Sequence, residues 1–260
     1  MTHLEADQQT HVVRISDVRV DESSGLACSV RHARLIYTIN DEDGPVFAID
    51  SDTGNTVGTF TVAGRKLRDP EALSLGPDGT LWIADIGVNR GSKKAFALYA
   101  LPEPGAGDHG PLPATKYRIT YPDGSRPDAE AFLVHPMTGD GYVITRQSPG
   151  RLYWFGQGSL DPERKNQLEP VMTDLPPQIT DACFTIDGRF VLVRQKGRRA
   201  SVTVLDATSW RVVDAIKVPT VRQPESIAAD PGGKHVWIGS EGANSPLIRV
   251  PLPIQYAADA

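Results

Sequence analysis

The chain has 260 residues, 40% hydrophobic and 23% charged, with a formal net charge of −5. That length suits one large all-β domain or two small ones, and is ample for a substantial core. Mild acidity without a Lys/Arg-rich run argues against a general nucleic-acid or anionic-membrane binder, and no apolar stretch nears the ~18 residues of a membrane span.

Residues 1–10 are a polar tail without the basic, apolar and small-residue regions of a leader, so the protein reads as cytoplasmic unless a leader has been cut away. A strand is predicted over residues 11–20, HVVRISDVRV. Five similar segments then recur: SSGLACS at 23–29, PEALSLG at 70–76, AEAFLVH at 129–135, TDACFTI at 180–186 and PESIAAD at 224–230. Each carries an acidic or hydroxyl residue, a small residue and a large apolar one. Each leads, through a turn such as GPDG, TIDG or DPGG, into a second strand: RLIYTIN, TLWIADI, GYVITRQ, RFVLVRQ or HVWIGSE. Third strands follow as VFAID, FALYALP, RLYWFG, SVTVLD and LIRVPLP. The repeat is roughly fifty residues, the length of a four-stranded propeller blade.

Fourth strands exist for blades one to four: TVGTFTVAG, TKYRITY, QLEPVMTDL and RVVDAIKV. Blade five has none, because the chain ends soon after its third strand. The unused strand at 11–20 completes it and closes the ring, which removes exposed edges. The expected fold is therefore a single all-β, five-bladed β-propeller over residues 11–256, with tails at 1–10 and 257–260. Cys28 and Cys183 fall in innermost strands of blades that are not neighbours, and read as buried free thiols.

Innermost strands start, and second strands end, near the axis on one face. The opening position of the repeat reads Ser24, Glu71, Glu130, Asp181 and Glu225. The second-strand ends supply Asn40, Asp41, Asp85, Arg146, Arg194 and Glu241. Several carboxylates at a narrow axis must raise one another's pKa or share a cation. Oxygen donors without His or Cys suit Ca²⁺ first and Mg²⁺ second, and disfavour Zn²⁺. The competing expectation is that the acids cap strands, accept backbone amides of the next blade, or pair with Arg146 and Arg194.

The opening residues, Ser24, Glu71, Glu130, Asp181 and Glu225, with YTINDEDG at 37–44 and Arg146, resemble the calcium-activated nucleotidases of the apyrase family. The resemblance implies one axial Ca²⁺ held by those five opening residues, with Asp41 near the reacting phosphate. Asp181 departs from that family, which has a hydroxyl residue in this blade. The phrases DPEALSLGPDGTLWIADIGVNR, DAEAFLVHPMTGDGYVITR and QPESIAADPGGKHVWIGSEG are similar to a largely uncharacterised bacterial propeller family, phytase-like and esterase-like, over most of the chain.

Other motifs are set aside. The stretch from Asp50 to Asn55 starts like a calcium loop, but the twelfth position is Thr61 rather than Glu, so a hairpin turn is expected. There is no G-x-S-x-G, H-E-x-x-H, P-loop or Rossmann fingerprint. Trp82, Trp154 and Trp237 read as core, and His135 as structural. The expected function is a Ca²⁺-dependent hydrolase of a phosphate ester or anhydride, taking a small-molecule ligand at the axial face. Asp41 or Asp85 would orient water, and Arg146 and Arg194 would offset developing charge. The alternatives are a non-catalytic binding propeller riveted by an axial ion, and a glycosidase-like propeller.

Overall fold

The computed structural model describes residues 10–42, 44–88 and 96–258. Most of the expected N-terminal tail and the last two residues of the C-terminal tail lie outside the described residues. No helix among the described residues is long and apolar enough to cross a membrane.

The chain opens with β1 (His11–Arg14). It then lays down blade one as β2 (Ser23–Cys28), β3 (Leu35–Asn40), β4 (Val46–Asp50) and β5 (Thr56–Val62). Blade two begins with β6 (Pro70–Leu75), β7 (Thr80–Asp85) and β8 (Phe96–Pro102); after β9 (His109–Leu112) it ends with β10 (Thr115–Thr120). Blade three is β11 (Ala129–Val134), β12 (Gly141–Thr145) and β13 (Gly150–Phe155), then, after β14 (Lys165–Gln167), β15 (Glu169–Leu175). Blade four is β16 (Ile179–Phe184), β17 (Phe190–Gln195), β18 (Ser201–Asp206) and β19 (Val212–Lys217). Blade five supplies β20 (Pro224–Ala229), β21 (His235–Ser240) and β22 (Pro246–Pro251). The five sheets stand in a ring, with β2, β6, β11, β16 and β20 innermost and each packed against its neighbours.

The core is five wedges, one between each pair of adjacent blades. Successive residues of a strand point to opposite faces. Leu73 therefore joins the wedge toward blade one, and Ala72 the wedge toward blade three. Both faces of the inner strands are covered, which is why they read as nearly continuous apolar runs. Trp82 packs with Tyr117, Phe132 and Phe155 between blades two and three. Cys28 and Cys183 are free; Cys28 is buried, Cys183 is half-buried, and both line an apolar mouth at the other end of the channel. The Asp50 turn is a hairpin, with Asp50 Oδ1 accepting the Thr53 amide at 2.9 Å and the Asp52 amide at 3.1 Å.

The N-terminal strand closes the ring as expected. β1 pairs antiparallel with β22, with Val13 opposite Leu247. It is shorter than the predicted 11–20, because at Ile15 the chain leaves the blade-five edge and crosses to blade one. Ser16 N–H donates to the Gly54 carbonyl at 3.0 Å. Gly54 has φ +74°, and a Cβ there would collide with the Arg14 carbonyl, so only glycine lets the segment pass. Two short strands were not foreseen. β9 joins β5 in parallel and β14 joins β10 in parallel, so segments of blades two and three each extend the preceding blade's edge.

Ile15 and Val20 are both fully enclosed in the wedge between blades five and one. Ile15→Ala should cost about 2–5 kcal/mol. Removing residues 1–20 should cost more, because it also exposes the β22 edge. Urea midpoints matching the parent protein for both would refute closure through this segment.

Candidate active site at the axial face

Each innermost strand carries a register shift against its second strand close to its start. Ser23 faces Asn40 and Gly25 faces Ile39, which leaves Ser24 between them without a partner. Glu71 is skipped in blade two and Glu130 in blade three; in blade five the shift spans Glu225 and Ser226. Such a bulge turns the extra side chain out of the strand's alternation. A second set comes from the residues just past the second strands: Asp41, Arg146, Lys196 and Glu241. Together these residues line one cavity of about 430 Å³, with Arg199, Arg222 and Gln223 at its rim.

The structure therefore brings together Ser24, Glu71, Glu130, Glu225, Asp41 and Arg146 of the expected set. It does not bring Asp181, Asp85 or Arg194 into the cavity lining. In blade four the skipped residue is Thr180, one position earlier than expected, and Asp181 pairs in register with Arg194. Asp181 thus occupies the place of Gly25, Ala72 and Ala131. Its Oδ1 accepts the Ala182 amide and its Oδ2 the Ile227 amide, each at 2.8 Å. Thr180 donates to the Pro224 carbonyl at 2.8 Å. Arg194 is wholly buried, Nη1 donating to the Ser201 carbonyl at 2.7 Å, and burial lowers its guanidinium to about 10. Asp85 Oδ1 accepts the Asp69 and Arg68 amides at 2.9 and 3.3 Å, a strand-capping role.

The residues that sequence reasoning missed are Lys196, Arg199 and Arg222, all in connections between strands. The backbone shows why Lys196 belongs. Arg146 N–H donates to the Asp128 carbonyl, Asp41 N–H to that of Glu22 and Lys196 N–H to that of Gln178. Each acceptor lies two residues before the skipped position. In blade two the matching donor is Gly87, bonded to Asp69, because Ile86 is an additional residue. A Cβ on Gly87 would collide with Glu71 Oε1 and come within 2.8 Å of Asp69 Oδ2, so the carboxylate fills the space a side chain would need.

The electrostatics are those of crowded, buried acids. Ser24 Oγ donates to Glu71 Oε2 at 2.9 Å, and Arg146 Nη1 pairs with Glu130 Oε1. Burial, then the charges of Glu130 and Asp69, push Glu71 well above the usual carboxyl range. Burial lifts Glu130 to about 7 although Arg146 opposes it. Burial, followed by the charges of Glu241 and Glu130, lifts Glu225 to about 8, with Arg146 and Lys196 opposing. Gln223 Nε2 donates to Glu241.

By donor type the acids and Ser24 suit a hard cation. As placed they do not form its shell. Asp181 is committed to amides and Glu130 to Arg146. Among the described residues no three His, Cys, Asp or Glu side chains stand together closely enough to hold an ion.

No known family model matches the chain, and no curated protein does. Solved structures match in fold. A luciferin-regenerating enzyme shares 12% identity over 97% of this chain and 98% of its own, with a TM-score of 0.57. A gluconolactonase from Xanthomonas campestris shares 15% identity over 97% of this chain and 94% of its own, with a TM-score of 0.52. At these identities the likeness is one of fold. It supports the propeller part of the apyrase and bacterial-propeller resemblances and nothing finer.

Two outcomes test this geometry. Gly87→Ala should displace Glu71 and cost about 1–3 kcal/mol; a denaturation midpoint equal to the parent's would mean the carboxylate does not fill that space. The second concerns pH. Folding raises these carboxyls above 4.5, so the native state keeps protons that the unfolded chain has released. That contribution is complete below the unfolded pKa and is lost as pH rises through about 7 and about 8. Melting temperature should therefore fall between about pH 5 and 8.5, and Glu225→Gln should flatten that fall and exceed the parent at the upper end. A parent profile that rises over this interval would contradict the assignment.

Proposed function

We propose that the axial cavity is the active site of a hydrolase for a small anionic substrate, of the phosphate-ester or anhydride class. The observation that carries this reading is that three buried glutamates with raised pKa values meet Arg146, Lys196, Arg199 and Arg222 in one cavity. Displaced pKa values combined with convergent polar groups in one cavity are the physical signature of a functional cleft. That a structural neighbour is named a gluconolactonase, a hydrolytic enzyme, is consistent with this reading.

In this scheme Glu225, held near 8, is protonated at neutral pH and donates a proton to the departing oxygen. Glu130, held near 7 beside Arg146, accepts a proton from the attacking water, which Asp41 orients. Arg146 offsets the negative charge that develops as the bond breaks. Glu71 accepts the Ser24 hydroxyl, which favours its charged form, but burial and the charges of Glu130 and Asp69 outweigh that and raise it.

Calcium is the second reading, favoured by one observation: burial first, and then neighbouring carboxylates, hold Glu71 and Glu225 high, and a divalent cation would stabilise the charged form of both. Arg146 would have to release Glu130 to make room. Saturating Ca²⁺ should then raise the melting temperature, by roughly 3–4 kcal/mol of stability at 100–1,000 times its dissociation constant, and a chelator should reverse it. A melting curve indifferent to both removes this reading and leaves the carboxyl chemistry standing.

The hydrolase itself is tested with phosphatase, nucleotidase and esterase substrates. Turnover should fall as pH rises through about 8, where Glu225 loses its proton, and Glu225→Gln should lower kcat about 100-fold or more. If the parent turns over none of these classes, the cavity is a binding site and the protein a non-catalytic propeller.

A further inference from the structure

The cavity is not uniform around its rim. Ser24, Asp41, Glu71 and Glu130 come from blades one to three, whereas Lys196 and Arg199 come from the β17–β18 turn of blade four, and Arg222 from the link into blade five. Gly197, at φ +87°, lets the chain reverse sharply between Lys196 and Arg199. Val221 N–H donates to the Arg199 carbonyl at 3.3 Å, and Val218 N–H to that of Ala200 at 3.1 Å. Those bonds tie the turn to the link, and buried Val221 fixes Arg222 beside Arg199.

All three cations are exposed at the mouth, and none forms an ion pair among the described residues. Arg146, by contrast, is neutralised by Glu130. Glu225 and Glu241 of blade five share the cavity with these cations, and burial raises both carboxyls, which lessens the negative charge that the cations meet. Guanidinium forks and an ammonium converging on one opening are the groups that bind oxyanions.

We propose that Lys196, Arg199 and Arg222 form an oxyanion subsite that holds a non-reacting phosphate or carboxylate of the substrate. The substrate then carries a remote anionic group at the blade-four rim while its scissile bond lies over Glu130 and Glu225. This extends the hydrolase reading of the same cavity and names a class: esters or anhydrides bearing a second, unreacted anion. Binding energy from that remote group positions the reacting bond.

The test uses calorimetric titration of the full chain with inorganic phosphate and, separately, malonate. Lys196→Ala/Arg199→Ala should weaken binding about tenfold or more, and Arg222→Ala by a smaller factor. Arg211→Ala, on an exposed turn away from the cavity, should leave it unchanged. Affinity should fall as salt rises, less steeply in the double variant. Phosphate without malonate assigns a phosphorylated substrate, and the reverse a polycarboxylate. If neither binds, or the double variant binds as the parent does, the subsite is refuted. Glu225→Gln separates the two readings. If it binds phosphate normally and no variant or parent hydrolyses anything, the subsite stands and the hydrolase fails. If turnover depends on Glu225 but Lys196→Ala/Arg199→Ala leaves kcat/KM for anionic and neutral esters equally intact, the hydrolase stands and the subsite fails.

Discussion

A β-bulge adds one residue to a strand without adding one to its partner, and the extra side chain is released from the alternation that the pleat imposes. Here every innermost strand carries that extra residue near its start, on the same end of the ring. A side chain in register would have to face a wedge between blades, where mostly apolar or small groups pack and an acid such as Asp181 is accommodated by accepting backbone amides. The released one is free to face the axis instead. Ser24, Glu71, Glu130 and Glu225 are there for this reason. The small residues that follow in blades one to three, Gly25, Ala72 and Ala131, return the strand to register where neighbouring inner strands touch. A Cβ on Gly25 would approach the Leu73 amide nitrogen at 2.7 Å, which shows how little room is left.

Bringing acids to one point carries an electrostatic cost, and the protein meets it with protons and one arginine. Fully ionised carboxylates in a partly desolvated channel would each cost several kcal/mol. Folding instead raises Glu71 and Glu225, which favours their neutral forms, and pairs Glu130 with Arg146. The same arrangement places carboxyls that both give and take protons near neutral pH, where acid–base chemistry is most effective. The stability cost and the catalytic opportunity therefore have one origin.

The fold was legible because its signals are periodic. Five opening segments, the hairpin turns and the missing fourth strand of blade five all sit in the residue pattern, and closure by residues near His11 followed from counting strands. The site was legible only where the repeat is regular. In blade four, D-A-C at 181–183 matches E-A-F at 130–132 in composition, yet the bulge falls at Thr180, and a one-residue slip sends a side chain to the other face. Asp181 and Arg194 are buried between blades for that reason. In blade two Ile86 is additional, so Asp85 caps amides and Gly87 takes the axial place. Lys196, Arg199 and Arg222 follow the strands rather than belong to them, and nothing in a strand pattern distinguishes them from ordinary solvated cations. β9 and β14 are too short and too polar to announce themselves; their pairing is supplied by the edges they join.

These departures from regularity give the cavity a direction. A ring of identical blades would present five equal charges and a potential without a preferred orientation. Blade two withdraws a side chain at Gly87 and lets Glu71 sink into the space. Blade four replaces the acid with the hydroxyl of Thr180, turns that hydroxyl onto the Pro224 carbonyl, and puts Lys196 where Asp41 stands in blade one. The result is a set of carboxyls on blades one, two, three and five with a cationic rim at blade four and its link into blade five, held in place by five packed wedges that leave the walls little freedom to move. On the proposed reading such a cavity would orient a molecule that is anionic at one end and reactive at the other, because only one of its two orientations places the anion against the cations.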